Sequence, residues 1–104
     1  MTIPEEIQST YQNITTINPK DFGIRKKIGI FLATNKNDEE YMIFYVTQKS
    51  RFLQKDVDKI EEIKTIILKN IENDKEIKKT IFITSPLCSK AKEKMEKLQW
   101  LIMI

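Results

Sequence analysis

Histidine is absent from the 104 residues, cysteine occurs once, glycine twice and proline three times. Each shortage removes a class of answers. A lone Cys88 cannot close an internal disulfide, and one cysteine without histidine rules out the usual zinc ligand sets. A reducing compartment, cytoplasmic or nuclear, is the expectation. Glycine stands only at Gly23 and Gly29, and proline only at Pro4, Pro19 and Pro86, so long flexible linkers are not expected. No window approaches the roughly 20 apolar residues that a membrane helix requires. The opening Met-Thr-Ile-Pro-Glu-Glu carries neither a basic stretch nor an apolar run, so no signal peptide is expected.

What remains describes a folded domain. Hydrophobic residues make up 40% and charged residues 32% of the chain, enough to build a core under a well-solvated exterior. The length suits one domain over 1–104, with a helix and connection in 1–24 and a sheet-containing core in 25–104. The net charge of +3 is too small a bias to imply nucleic acid by itself, since such binding draws on clustered cations.

Residues 4–13 read as a helix: Pro4 suits a first helical position, Glu5 and Glu6 favour a helix N-terminus, and Ile3, Ile7, Tyr11 and Ile14 recur at helical spacing. Thr15, Thr16 and Ile17 before Asn18-Pro19 should end it. Lys27–Thr34 and Tyr41–Thr47 read as strands joined by the polar turn Asn35–Glu39, an antiparallel hairpin. The second strand is apolar on both faces, which suits a central position. Val57, Ile60, Ile63, Ile67 and Ile71 mark a long helix over 55–72, closed by Asn73-Asp74-Lys75, with Glu61 and Lys64 on its solvent side. Thr80–Thr84 is a short apolar strand reached by a parallel crossover. Ser85-Pro86 reads as the start of a last helix with Leu87, Ala91, Met95 and Leu98 as its buried stripe, and 99–104 as a final strand. The expected architecture is α/β, bordering on α+β: a four-stranded mixed sheet with flanking helices in the order αββαβαβ.

Candidate chemistry is sparse. Cys88 near a helix N-terminus has a route to a lowered thiol pKa, but no histidine is present to act as base, and cysteine serves as well as a small hydrophobe. The strand-to-helix turn Ser85–Ser89 has the topology of a phosphate cradle without its glycines or phosphate-loop lysine, so helix capping is the simpler account. Asp38, Glu39 and Glu40 are consecutive in a turn, point in different directions, and fit solvation better than a metal. No metal, cofactor or small-molecule substrate is expected. Arg25, Lys26 and Lys27, with Lys49 and Arg51, form the best candidate for a polyanion contact, with a merely solvated surface as the simpler account. Trp100, Leu101, Ile102, Met103 and Ile104 form an uncharged terminal strand that either the domain or a partner must cover.

The succession of a hairpin, Val46-Thr-Gln-Lys-Ser-Arg51, a long helix, Lys79-Thr-Ile-Phe-Ile-Thr84, a short lysine-rich helix and a last apolar strand resembles the restriction-endonuclease-like core. In that superfamily an acidic residue and a Glu-x-Lys motif coordinate a metal and position phosphate and water. Aligned on its lysine, the motif here is Thr47-Gln48-Lys49. Only Lys49 carries over, and no Asp or Glu lies within the first predicted strand. Over residues 27–104 the order and hydrophobic rhythm are also similar to the N-terminal jaw domain of the fifth common subunit of eukaryotic nuclear RNA polymerases. The resemblance implies a degenerate nuclease-like fold and a domain that is not an enzyme. Such a domain would act as a subunit or accessory factor of a larger complex, with a protein partner or a second copy and with nucleic acid as a further candidate partner. The rival readings are a nucleic-acid-binding protein derived from the nuclease fold, including a small toxin RNase, and a self-associating assembly protein.

Overall fold

The helical stripe that follows the hairpin folds the chain back over its own sheet, and that return sets the architecture. The computed structural model describes residues 3–24, 28–71 and 76–103. The chain runs α1 (Glu5–Thr10), β1 (Gln12–Ile17), a 3-10 turn (Pro19–Phe22), β2 (Gly29–Thr34), β3 (Glu40–Val46), α2 (Gln54–Asn70), β4 (Lys78–Ile83), α3 (Ser89–Lys97) and β5 (Trp100–Met103). All five strands share one sheet in sequence order, β1-β2-β3-β4-β5. The first three are antiparallel neighbours, while β4 and β5 run parallel to β3.

The α/β class is as read from the sequence, but the sheet has five strands, not four. The missed strand is β1, which the helical spacing of Ile3, Ile7, Tyr11 and Ile14 had absorbed into a longer helix. The helix in fact stops at Thr10, and Tyr11 is already extended at φ −120° and ψ 161°. Ile14, Thr15, Thr16 and Ile17 are β-branched and fit a pleated surface better than a helix turn. A register shift between Gln12 and Thr15, with Asn13 at φ 52°, lets the chain leave α1 and still pair with β2.

A second correction concerns Ser85-Pro86. The helix begins three residues later, at Ser89, because the Pro86 carbonyl accepts from the Phe52 N–H (2.9 Å) and the Cys88 N–H donates to the Phe52 carbonyl (3.0 Å). These groups are committed to a short parallel bridge and cannot open a helix. The predicted stop at 73–75 lies outside the described residues; the long helix ends at Asn70, with Ile71 extended.

The sheet is covered unequally. On one face Val57, Ile60, Ile63 and Ile67 of α2 and Ala91 and Met95 of α3 pack on Ile30, Met42, Phe44, Val46, Ile81 and Ile83. On the other, the short α1 supplies Ile7, which joins Tyr11, Phe31, Ala33, Ile43 and Phe82. The Tyr11 hydroxyl reaches Thr80 Oγ1 at 3.1 Å, and burial pushes its pKa up. Gly29 admits a close approach: a Cβ there would stand 3.1 Å from the Phe31 ring and 3.2 Å from Tyr45 Cβ.

Trp100 closes the larger core from β5. Its ring meets Phe44 edge-on with centroids 5.4 Å apart, and its indole N–H donates to Glu61 Oε2 at 2.9 Å. Glu61 Oε1 accepts from Lys64 at 3.0 Å. Glu61 is therefore a part-buried tie between α2 and β5, steadied by the part-buried Lys64 of its own helix, and neither belongs to the solvent face that the stripe alone implied. Lys79 Nζ stands 5.3 Å from the Trp100 ring centre and donates to the Leu98 carbonyl at 2.8 Å. Burial, aided by the Lys64 charge, lowers its pKa.

Truncation of fully buried Ile60 to alanine should cost about 2–5 kcal/mol in urea unfolding. Leu68→Ala, on the exposed side of the same helix, should stay within about 0.5 kcal/mol. Equal losses would refute this assignment of the α2 faces.

Candidate nucleic-acid interface

β3 and β4 end side by side, and each releases its chain into a loop at the same end of the sheet. Val46 is the last residue of β3, and its carbonyl accepts from the Thr84 N–H (3.1 Å) and Thr84 Oγ1 (3.3 Å), which carries the pairing one step beyond β4. The chain then diverges and meets again at Phe52, fully buried and bridged to Leu87. The two loops, 47–51 and 84–88, are thus joined at both ends.

Within the first loop the Gln48 amide donates to the carbonyls of Ser50 (3.2 Å) and Arg51 (3.3 Å). Asp56 in the first turn of α2 accepts from the Leu53 N–H at 2.8 Å, fixing the loop's exit. Because Gln48 folds inward to bind its own backbone, Thr47, Lys49, Ser50 and Arg51 are left exposed. These hydrogen bonds pin the backbone that carries Lys49 and Arg51.

The second loop brings Cys88 to the start of α3. The backbone N–H groups of Ala91 and then Lys90 hold the Cys88 thiol below its ordinary pKa without closing a capping hydrogen bond. Partial burial opposes them, and the charges of Arg51 and Lys90 add to the lowering. Arg51 from the first loop and Lys90 from the first turn of α3 therefore act on the same point, a link the sequence left open. Ser85 is buried, and its hydroxyl has no hydrogen-bond partner among the described residues.

The remaining candidates fall elsewhere. Arg25, Lys26 and Lys27 lie outside the described residues, as does Ile104. Trp100 is buried, Ile102 half-buried, and Leu101 and Met103 are exposed on β5. Glu39 is paired with Lys78, and its other oxygen accepts from Asn35 at 2.9 Å. Lys78 first and Asn35 second hold the Glu39 carboxyl below its usual value. Among the described residues no three His, Cys, Asp or Glu side chains converge to hold a metal. No described helix is long and apolar enough to cross a membrane. Sequence reasoning missed the Thr84–Cys88 loop as a partner of 47–51. The available signal was Phe52, an isolated aromatic in a polar stretch.

No family model matches the chain, and no curated protein matches it. Among solved structures it is similar to EndoMS in its apo form, with a TM-score of 0.57 and 16% identity over 89% of this chain. The match spans 36% of that protein's length. This likeness supports a nuclease-like fold. EndoMS is an endonuclease, and the reading of this chain as no enzyme is withdrawn on that finding. The likeness is one of fold and carries no catalytic residues across.

The depressed Cys88 pKa has a direct readout. The thiolate is the reacting form, so the pH midpoint for iodoacetamide alkylation should lie below that of free cysteine. Arg51→Gln should move it upward. A midpoint at or above the free value would contradict the electrostatics described for this loop pair.

Proposed function

We propose that the chain is a nucleic-acid-binding module of nuclease-like fold that contacts the phosphate backbone at the C-terminal ends of β3 and β4, within a larger assembly that handles nucleic acid. The observation that carries this reading is the pinned loop pair, with Lys49 and Arg51 turned to solvent and Lys90 on the adjoining helix. Lysine and arginine at such a rim neutralise phosphates without reading bases, and no exposed aromatic accompanies them among the described residues of the two loops. Arg25, Lys26 and Lys27 belong to the proposal on sequence alone, as a run of three cations suited to phosphate contact.

Two likenesses support the reading at a coarser level. The fold similarity to EndoMS makes a nucleic-acid ligand the natural first test. The resemblance of residues 27–104 to the jaw domain of RNA polymerases favours work inside an assembly.

Fluorescence anisotropy with short labelled DNA and RNA, over about 50–300 mM salt, tests the proposal. Log affinity should fall linearly with log salt. The Lys49→Ala, Arg51→Ala double variant should bind more weakly to every sequence, with a salt slope shallower by about 2. No binding to any of these nucleic acids, or an unchanged slope in the double variant, would contradict it.

A further inference from the structure

The two edges of the sheet are unlike, and the difference points to one mode of association. β1 is a guarded edge. Its pairing with β2 is broken by a register shift, Asn13 has a positive φ of 52°, and Gln12, Asn13, Thr15 and Thr16 are polar and exposed. Bulges and polar side chains of this kind discourage the addition of a further strand. β5 has none of these guards. It pairs in unbroken register with β4 through Lys79–Trp100, Thr80–Leu101, Ile81–Ile102 and Phe82–Met103. Among the described residues nothing pairs with its outer side.

We infer that the outer edge of β5 pairs antiparallel with β5 of a second copy of this chain, about a twofold axis through Ile102. Three features favour a second copy. The axis sets Ile102 against its own copy and Leu101 against Met103, and Trp100–Met103 carries no charge that would be buried unpaired there. Head-to-tail addition of β5 to β1 would build an open filament, and the irregular β1 obstructs it, leaving the closed arrangement. The pleat also agrees. Residues paired across strands point to one face, so Leu101 and Met103 lie on the Thr80 and Phe82 side. An axis through Ile102 sets Leu101 opposite Met103 of the second copy on that same face. These two are the exposed large apolar residues of the strand, at 52% and 38%. Met103 also borders a cleft of about 360 Å³ beside Glu6, Thr10, Tyr45 and Phe82, which leaves room for the apposed Leu101 to settle.

A four-residue edge is smaller than the roughly 1,200 Å² of stable interfaces, so the dimer is reversible, with a Kd on the order of micromolar. Sedimentation equilibrium of the full chain, from about 1 to 500 µM, should report a shift from 12.3 kDa to twice that mass. Leu101→Asp should weaken the dimer about tenfold or more by leaving a buried carboxylate opposite Met103. Leu101→Asp combined with Met103→Lys should restore it, because the register sets the new charges against each other. Amide exchange of Leu101–Met103 in the unaltered chain, slowing as concentration rises, gives a second readout should the variants unfold. A monomer throughout, growth beyond two copies, a dimer indifferent to Leu101→Asp, or exchange independent of concentration would overturn the inference.

Discussion

The fold is organised around β3, a strand that satisfies its backbone on both sides and buries its side chains on both faces. Met42, Phe44 and Val46 face α2 and α3, while Ile43 faces α1, and all four are buried. A strand so enclosed tolerates no slip, because a one-residue shift would exchange its faces and put its neighbours out of step. Its hydrogen bonds then fix the direction of everything else. β2 pairs with it antiparallel through a tight turn, β4 pairs with it parallel, and the parallel pairing requires a crossover, which is α2.

The change of strand direction at β3 also generates the candidate interface. At the carboxyl end of β3 the chain must leave the sheet toward α2, while β4 ends beside it and leaves toward α3. Open sheets with parallel strands present their ligand-binding loops at such ends. Here the two departing segments are zipped through Phe52, so the exposed cations stand on a frame anchored in the core. The Cys88 thiol reports the local potential there: the amides at the start of α3 and the charges of Arg51 and Lys90 all favour its anion. Under the proposed reading, the same amides and charges are the ones a phosphate would meet.

Much of the central architecture was legible because period and burial coincide there. The spacing of Val57, Ile60, Ile63 and Ile67 falls within one helix of 17 residues on the core, and the apolar run within Tyr41–Thr47 is rich in β-branched and aromatic residues and bounded by a polar turn, which favours an enclosed strand. The edges were less legible. In β1 the apolar residues happen to recur at helical spacing, and the deciding influence was tertiary: an unpaired edge of β2 offered hydrogen bonds to a β-branched segment. Ser85-Pro86 failed as a helix signal for the same reason, since a distant Phe52 claimed its backbone groups. At the candidate site, Lys49 and Arg51 could be named from the sequence, but their link to Lys90 and Cys88 depends on strand order, which local pattern does not encode. Glu61 looked like a solvent residue because its partner, the Trp100 indole, lies 39 positions away.

The most direct test of the account is a backbone amide NMR titration of the full chain with a short oligonucleotide at low salt. The account predicts that the largest shift changes fall on Thr47–Arg51 and on Thr84–Lys90, two segments remote in sequence that the pairing of β3 with β4 and the bridge at Phe52 bring together. Changes confined to α1 and β1, or spread evenly over every lysine-bearing surface, would contradict it.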